Sequence, residues 1–140
     1  MINNKITIGV SVGDINGIGA EVIIKTFDNP TMLELCTPVI FGSSKLISYY
    51  KKLCGSDMPF VGIDDVSQVI QGKVNIVNLW QEAPVITPGR DTEEGGRLAY
   101  SSLKAATEAL KAGDIDALVT APINKKNIQC QDFHFQGHTE

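Results

Sequence analysis

The sequence lacks both a long apolar run and a concentration of positive charge, and each absence excludes a class of function. No stretch approaches the roughly 20 apolar residues that span a bilayer. The opening MINNKITIGV turns polar at Gly13 and Asp14, too soon for the apolar region of a signal peptide. The formal net charge is −4 and the lysines and arginines are scattered, whereas a surface for nucleic acid needs a basic stripe. We therefore expect a cytoplasmic protein that binds neither membranes nor nucleic acid.

Cysteine is also scarce in this chain. The three cysteines, Cys36, Cys54 and Cys130, are odd in number, widely spaced and without a C-x-x-C pair. A disulfide framework or a zinc knuckle uses an even number of cysteines or close pairs. The sequence therefore predicts reduced thiols without a chemical role.

Histidine is scarcer still, because His134 and His138 are the only two in 140 residues. Their H-x-x-x-H spacing is that of a helical zinc-protease motif, which also requires a glutamate directly after the first histidine. Phe135 occupies that place, and Gly137 would interrupt a helix. We therefore predict no metal-binding role for either histidine and interpret His134 as an ordinary loop residue.

What the chain does contain is the material for one domain of ordinary size. Its 140 residues are 43% hydrophobic and 20% charged, a composition typical of a globular protein with a buried core. Hydrophobic patterning predicts strands at residues 5–12, 37–42, 59–62, 73–79 and 117–120. Helices are predicted at residues 20–27, for one or two turns after Asn29, from Ser43 or Ser44 to Gly55, at residues 91–113, and briefly near Lys125. Alternating strands and helices indicate an α/β domain with a largely parallel sheet.

Two of these elements carry sharper expectations. Asp91 offers a capping carboxylate to the long helix. The apolar residues expected on the buried face of that helix are Ala99, Leu103, Ala106 and Leu110. Residues 117–120 are apolar without alternation, which is typical of a strand covered on both faces. We therefore predict an interior strand there, flanked on one face by the 91–113 helix.

Three loops are expected where strands end, which is where open α/β sheets bind ligands. The first, GDINGIG, contains G-x-G at Gly17 and Gly19, but Val22 replaces the third glycine of a dinucleotide fingerprint. The acid that such a site needs after the second strand is also missing, because that strand ends in FGSSK. The fingerprint therefore fails on two counts, and a tight strand-to-helix turn is the simpler explanation of the glycines.

The second and third loops carry polar groups suited to an anion. In TAPINK, Pro122 ends the strand and Asn124 caps the next helix, or else backbone N–H groups and Lys125 lie beside an anionic substrate. The sequence favours neither explanation. In FQGHTE, His138 stands next to Thr139, and an imidazole and a hydroxyl can both hydrogen-bond a phosphate or hydroxyl group.

Taken in order, GDINGIGAE, TPGRDTEEGG, DALVTAPINKKNI and FQGHTE resemble the 4-hydroxythreonine-4-phosphate dehydrogenase family of pyridoxal phosphate biosynthesis. ALVTAPINK and F-x-GHTE are the most specific of these matches, which run from the first strand to the last residue. The first loop of the family is Gly-(Asp/Glu)-Pro-(Ala/Ser)-Gly-Ile-Gly-Pro-Glu. Here Ile15, Asn16 and Ala20 depart from that pattern, while both helix-forming glycines and Glu21 agree. The departures bear on the rigidity of the loop.

The resemblance implies an isocitrate/isopropylmalate dehydrogenase-like fold, with two α/β domains and an active cleft at a homodimer interface. It also implies NAD or NADP and a divalent metal (zinc, magnesium or cobalt), which acts as a Lewis acid on the alcohol and the carbonyl that develops. The implied substrate is 4-phosphooxy-L-threonine, oxidised to a 2-amino-3-oxo acid phosphate that decarboxylates to 3-amino-2-oxopropyl phosphate. Family members are roughly twice as long, so residues 1–140 are expected to be an amino-terminal part that is inactive alone.

Few site residues can be carried over from the resemblance. It assigns substrate contacts to His138 and Thr139, and it places the three metal-binding histidines and the other phosphate-gripping side chains beyond Glu140. Asp14 and Lys125 are kept as supporting groups without a named role. Two alternatives stay open: a paralogue that oxidises a threonate or erythronate 4-phosphate, and a non-catalytic truncated protein.

Overall fold

The computed structural model describes residues 5–129, which fold around a five-stranded parallel sheet. Its strands are β1 Ile6–Ser11, β2 Cys36–Gly42, β3 Val61–Ile63, β4 Asn75–Asn78 and β5 Ala117–Thr120. The strand order is β3-β4-β2-β1-β5, and each pairing is parallel. All five strands therefore end at the same edge of the sheet, which we call the carboxyl edge.

Helices cover both faces of this sheet. In the described part of the chain they are α1 Gly19–Phe27, α2 Pro30–Leu35, α3 Ser44–Cys54 and α4 Glu93–Ala112, with a 3-10 turn at Val66–Gln68. Helices α1 and α3 pack with Val10 and Ile40 on one face, and α4 packs with Val39 and Phe41 on the other. The predicted α/β architecture, a parallel sheet flanked by helices, is confirmed. Within residues 5–129 no helix has both the length and the apolar character needed to cross a membrane.

Local sequence signals explain where these elements begin and end. The Asn29 side chain accepts a hydrogen bond from the Thr31 amide at the start of α2, and Ser43 accepts one from Leu46 at the start of α3. Helix α3 ends at Gly55, whose φ of 66° is left-handed. Strand β2 is buried along its whole length, because it lies mid-sheet with helices over both faces. The predictions for these elements are confirmed.

Two predictions about α4 are wrong. Its cap is Thr92 rather than Asp91, since Thr92 Oγ1 accepts a hydrogen bond from the Gly95 amide at 3.0 Å. Leu110 does not belong to the buried face, because 39% of the residue is exposed. The buried face consists mostly of small residues, which let the helix backbone approach the sheet closely; they are Gly95, Gly96, Leu98, Ala99, Ser102, Ala106 and Ala109.

Strand β5 lies at an edge of the sheet in the described part of the chain, so the prediction of an interior strand is wrong there. It pairs with β1 within residues 5–129 and ends the strand order, and 52% of Val119 is exposed. Helix α4 does cover one face, as predicted, since Leu118 packs against the cluster that contains Ala106 and Ala109. An apolar run shows that a strand is suited to burial, but strand order depends on pairings that the run does not encode.

Two cysteines of the described residues are free thiols in different surroundings. Cys36 begins β2 with 4% of the residue exposed, and burial raises the pKa of its thiol. Cys54 ends α3 and is half-buried. Cys130 lies outside the described residues.

We expect iodoacetamide to alkylate Cys54 much faster than Cys36 in the native chain. The thiolate is the reacting species, and at Cys36 it is both scarce, because of the raised pKa, and shielded. Timed alkylation followed by peptide mass spectrometry gives a rate for each cysteine, and guanidinium-unfolded chain is the control in which the two rates should converge. Equal rates in the native chain would contradict the burial of the β2 start.

Candidate functional site

Three loops meet at the carboxyl edge of the sheet, where open α/β sheets bind ligands. They are residues 12–18 after β1, residues 79–92 after β4, and residues 121–129 after β5. The sequence predicted the first and third of these loops as ligand-binding segments. The structure adds the second, which runs from the end of β4 to the start of α4 and contacts both others.

The first loop is shaped by Gly13 and Asp14. Gly13 has a φ of +67°, and a Cβ there would lie 2.2 Å from the carbonyl oxygen of Pro122, so the position has room only for glycine. The Asp14 amide donates a hydrogen bond to that same oxygen at 2.9 Å. Asp14 Oδ1 accepts from the Asn16 amide at 3.0 Å, and its carbonyl accepts from Gly17 at 3.0 Å. Asp14 therefore shapes the turn and ties it to the third loop.

The glycines of GDINGIG serve the backbone path and the packing. A Cβ on Gly19, the first residue of α1, would lie 2.7 Å from the Val12 carbonyl oxygen and 2.9 Å from Ala121 Cβ. Gly17 has ordinary clearance, since the nearest atom to its Cβ position is 3.5 Å away. These contacts support the tight strand-to-helix turn as the reason for Gly19. The sequence interpretation missed Gly13. Of the three glycines in GDINGIG, it is the one with a left-handed backbone.

Asn16 joins the first loop to the second, and sequence reasoning missed it. Only 2% of the residue is exposed. Its Oδ1 accepts a hydrogen bond from the Thr87 amide at 2.8 Å, and its Nδ2 donates to Thr92 Oγ1 at 3.1 Å. Its backbone carbonyl accepts from the Gly89 amide at 2.8 Å. The single signal in the sequence was the departure of Ile15 and Asn16 from the family pattern. In the structure, the Asn16 side chain adds two hydrogen bonds between the first and second loops.

The second loop contains a tight turn at residues 87–90. The Arg90 amide donates to the Thr87 carbonyl at 3.0 Å, Pro88 occupies the second position, and Gly89 follows with a φ of 80°. A proline and then a left-handed glycine are typical of a type II turn. The turn displays the exposed side chain of Arg90 beside the carboxyl edge.

The third loop ends in a single helical turn. Asn124 Oδ1 accepts hydrogen bonds from the amides of Lys126 at 2.9 Å and Asn127 at 3.1 Å, and the Ile128 amide donates to the Asn124 carbonyl at 3.2 Å. Of the two explanations that the sequence left open for this loop, the cap by Asn124 is observed, and the short helix is a single turn within the described residues. Lys125 is exposed, and its placement beside an anionic substrate stays a prediction.

Helix α4 begins directly against this third loop. Asn127 Nδ2 donates to the Thr92 carbonyl at 3.0 Å, and a Cβ on Gly96 would lie 1.8 Å from the Asn127 carbonyl oxygen. Lys126 and Asp91 form an ion pair at 3.8 Å, with both side chains well exposed, so it contributes little. Thr92 is thus held by Asn16 on one side and Asn127 on the other.

The carboxyl edge also has buried polar atoms that find no hydrogen-bond partner among the described residues. Within residues 5–129, the buried side-chain polar atoms without a partner are Ser11 Oγ, Trp80 Nε1, Thr87 Oγ1 and Asn127 Oδ1. Ser11 ends β1, Trp80 and Thr87 belong to the second loop, and Asn127 belongs to the third. Because buried polar groups in proteins are nearly always partnered, this grouping favours the edge as a place where a polar molecule binds.

A cavity of about 320 Å³ lies between the second loop and the first turns of α4. It is lined by Trp80, Gln81, Glu82, Ala83, Pro84, Glu94, Arg97 and Leu98. Its indole, carboxylate and guanidinium groups can contact a small polar ligand, and its volume is at the lower end for small-molecule sites. Glu94 Oε1 accepts from the Val85 amide at 3.0 Å, which holds the loop over the helix.

The residues with the most direct predicted roles lie beyond the described part of the chain. His134, His138, Thr139 and Glu140 are outside residues 5–129, and the third loop leads along the chain toward them. Within residues 5–129, no three His, Cys, Asp or Glu side chains come together in a way that could hold a metal ion. That part of the chain therefore does not fit a complete metal site, and the placement of the metal ligands beyond Glu140 stays a prediction.

Comparisons with known proteins agree on one group of enzymes. A family model described as "Pyridoxal phosphate biosynthetic protein PdxA" matches residues 34–140. The chain is 44% identical over 140 residues to a 4-hydroxythreonine-4-phosphate dehydrogenase of Bacteroides thetaiotaomicron, covering all of this chain and 38% of that protein. It is 29% identical to a Clostridium botulinum protein provisionally named D-threonate 4-phosphate dehydrogenase, covering all of this chain and 43% of the relative.

A solved structure shows the same fold. The crystal structure of a 4-hydroxythreonine-4-phosphate dehydrogenase from Burkholderia phymatum superposes with a TM-score of 0.88 at 30% sequence identity. The alignment covers 99% of this chain and 42% of that chain. The chain thus spans about two fifths of the length of the relatives that it matches.

Proposed function

This chain belongs to the family of the pyridoxal phosphate biosynthetic protein PdxA, and from that membership we propose that it is part of a dehydrogenase acting on 4-phosphooxy-L-threonine. Residues 1–140 would form the amino-terminal part of a two-domain, isocitrate/isopropylmalate dehydrogenase-like enzyme that works with NAD or NADP. The observation that carries the proposal is the 44% identity, over all 140 residues, to a relative named for that activity. We call the chain together with the remainder that its relatives possess the complete enzyme.

The proposed reaction oxidises the secondary alcohol of the substrate to a ketone. The product is a 2-amino-3-oxo acid phosphate, in which the new carbonyl is β to the carboxylate. A β-keto acid loses carbon dioxide readily, because the carbonyl accepts the electron pair of the breaking bond. The final product is 3-amino-2-oxopropyl phosphate, on the route to pyridoxal 5'-phosphate.

Within this proposal the residues of the chain have distinct tasks. His138 and Thr139 donate hydrogen bonds to oxygen atoms of the substrate. Asp14 shapes the loop after β1, as its hydrogen bonds support, and Lys125 contributes positive charge beside the edge. The described residues do not fit a metal site, so we derive no step through a divalent metal. We propose that the metal ligands lie beyond Glu140 and that the complete enzyme is a homodimer.

A second candidate function is the oxidation of D-threonate 4-phosphate. It is favoured by the 29% identity to the provisionally named Clostridium botulinum protein. The two substrates differ at C2, which carries an amino group in one and a hydroxyl group in the other. Selection between them therefore depends on groups that contact C2.

We expect the complete enzyme to turn over 4-phosphooxy-L-threonine with a kcat/KM at least about tenfold higher than D-threonate 4-phosphate, because a site that hydrogen-bonds an amino group discriminates against analogues without it. Formation of NADH or NADPH, together with carbon dioxide release, measures both substrates and both cofactors. D-Erythronate 4-phosphate serves as a third substrate, and residues 1–140 alone should show no turnover. A preference for D-threonate 4-phosphate would support the second candidate, whereas a preference for D-erythronate 4-phosphate, or turnover of none of the three, would contradict both.

A further inference from the structure

We propose that Asn16 is a positioning residue for ligand binding, which holds the turn at residues 87–90 and the start of α4 in place at the carboxyl edge. The inference rests on the proposed function, since the ligands concerned are the phosphorylated substrate and the dinucleotide. It assigns a role to a side chain that departs from the family pattern. It also assigns a task to the second loop, which sequence reasoning did not include among the ligand-binding segments.

The contacts of Asn16 link three parts of the edge. From the loop after β1, it binds the Thr87 amide through Oδ1 at 2.8 Å and the Gly89 amide through its backbone carbonyl at 2.8 Å. Both amides belong to the turn that displays Arg90. Its Nδ2 donates at 3.1 Å to Thr92 Oγ1, which caps α4. One buried side chain thus fixes the position of the turn and of the helix start relative to β1.

The turn belongs to the second loop of the carboxyl edge, and open α/β sheets bind ligands at that edge. The unpartnered buried polar atoms of residues 5–129 all belong to the end of β1 or to the second and third loops. One of these atoms, Thr87 Oγ1, belongs to the turn itself. Without the Asn16 side chain, the Thr87 amide loses its acceptor. Among the described residues, the turn is then held to the loop after β1 by the bond from the Gly89 amide to the backbone carbonyl of residue 16. We therefore expect the turn to move more freely and bind ligand less tightly.

The chain offers a matched control in Asn75. This residue is also fully buried, and it holds a loop with the same chemistry. Its Oδ1 accepts from Ile70 at 2.9 Å, and its Nδ2 donates to the carbonyls of Ile70 at 3.0 Å and Lys73 at 2.8 Å. Asn75 begins β4, so it lies at the opposite edge of the sheet. Both asparagines are buried and hydrogen-bonded through Oδ1 and Nδ2, but they lie at opposite edges of the sheet.

The test compares Asn16→Ala with Asn75→Ala in the complete enzyme. Both variants should lower the melting temperature, because each leaves buried polar groups without partners. Only Asn16→Ala should raise the KM for 4-phosphooxy-L-threonine or for the dinucleotide, by about tenfold, with a smaller change in kcat. Only Asn16→Ala should speed hydrogen exchange at residues 86–92. Unchanged KM values, or the same rise in both variants, would overturn the inference.

Two further arms keep the outcome decisive. If Asn16→Ala does not fold, Asn16→Asp replaces it, because aspartate keeps the volume and the acceptor for the Thr87 amide. A rise in KM of about threefold in this variant supports the inference, and no rise overturns it. If the unsubstituted enzyme shows no turnover, the proposed function fails rather than the inference. Calorimetry with NAD then replaces kinetics: weaker binding by about tenfold in Asn16→Ala alone supports the inference, and equal binding by both variants overturns it.

Discussion

Replacing Gly13 with alanine is expected to lower the free energy of unfolding by about 2–5 kcal/mol, through two separate costs. The backbone at Gly13 is left-handed, with a φ of +67°, and such a conformation costs an L-residue about 1–2 kcal/mol. The new Cβ would also lie 2.2 Å from the Pro122 carbonyl oxygen and 2.9 Å from that of Ala121. Because both neighbours are backbone atoms, relief of the clash requires the third loop to move away from β1.

Gly55→Ala separates these two costs. Gly55 has a φ of +66°, which matches that of Gly13, but nothing lies within 4 Å of its Cβ position. We expect this variant to lose only the backbone cost of about 1–2 kcal/mol. Urea unfolding of the 140-residue chain and both variants gives the two changes in free energy. Equal losses would show that the third loop does not press on Gly13.

The parts of the fold that the sequence predicted are those with local causes. Asn29 and Ser43 cap α2 and α3 through amides two or three residues away, and Gly55 ends α3 by its own backbone conformation. Such signals lie within one turn of the residue concerned, so a short stretch of sequence contains them. The alternation of strands and helices extended this local information to the α/β class and to a parallel sheet.

The parts that the sequence did not predict depend on distant partners. Asn16 bonds to Thr87 and Thr92, more than 70 positions along the chain. Its departure from the family pattern marks the residue but does not indicate those partners. The edge position of β5 follows from its pairing with β1 rather than from its own apolar run. Leu110 fits the helical period, but 39% of it is exposed, while its neighbour Ala109 lies on the buried face. Position within the assembled fold decided each case.

The candidate site divides in the same way. Its scaffold, the three loops of the carboxyl edge, follows from a parallel sheet, in which all strands end together. Its chemistry was predicted from the resemblance of FQGHTE to a family motif. This segment lies outside the described residues. The structure shows that these loops are joined by hydrogen bonds, and the location of the site among them stays a prediction. The roles of His138 and Thr139 stay predictions that require kinetics.

We expect His138→Ala to lower the kcat/KM of the complete enzyme by about one to two orders of magnitude. In the proposed function, the imidazole donates a hydrogen bond to an oxygen of the phosphorylated substrate beside the Thr139 hydroxyl. Hydrogen bonds to charged groups contribute about 1.5–3 kcal/mol, and each 1.4 kcal/mol corresponds to about a factor of ten. His138→Asn keeps a donor of similar reach, so it should recover part of the loss. Steady-state kinetics on both variants measures the effect.

His134 supplies the control for this prediction. It is the other histidine of the chain, four positions earlier, and the sequence predicts an ordinary loop residue, so His134→Ala should leave kcat/KM unchanged. Thermal melts must accompany the kinetics, because a purely structural histidine gives the opposite pattern: its loss lowers the melting temperature and spares the kinetic constants of the folded enzyme. If His138→Ala shows that structural pattern, then His138 does not contact substrate. If it loses kcat/KM at an unchanged melting temperature while His134→Ala does not, the hydrogen bond to substrate is the remaining explanation.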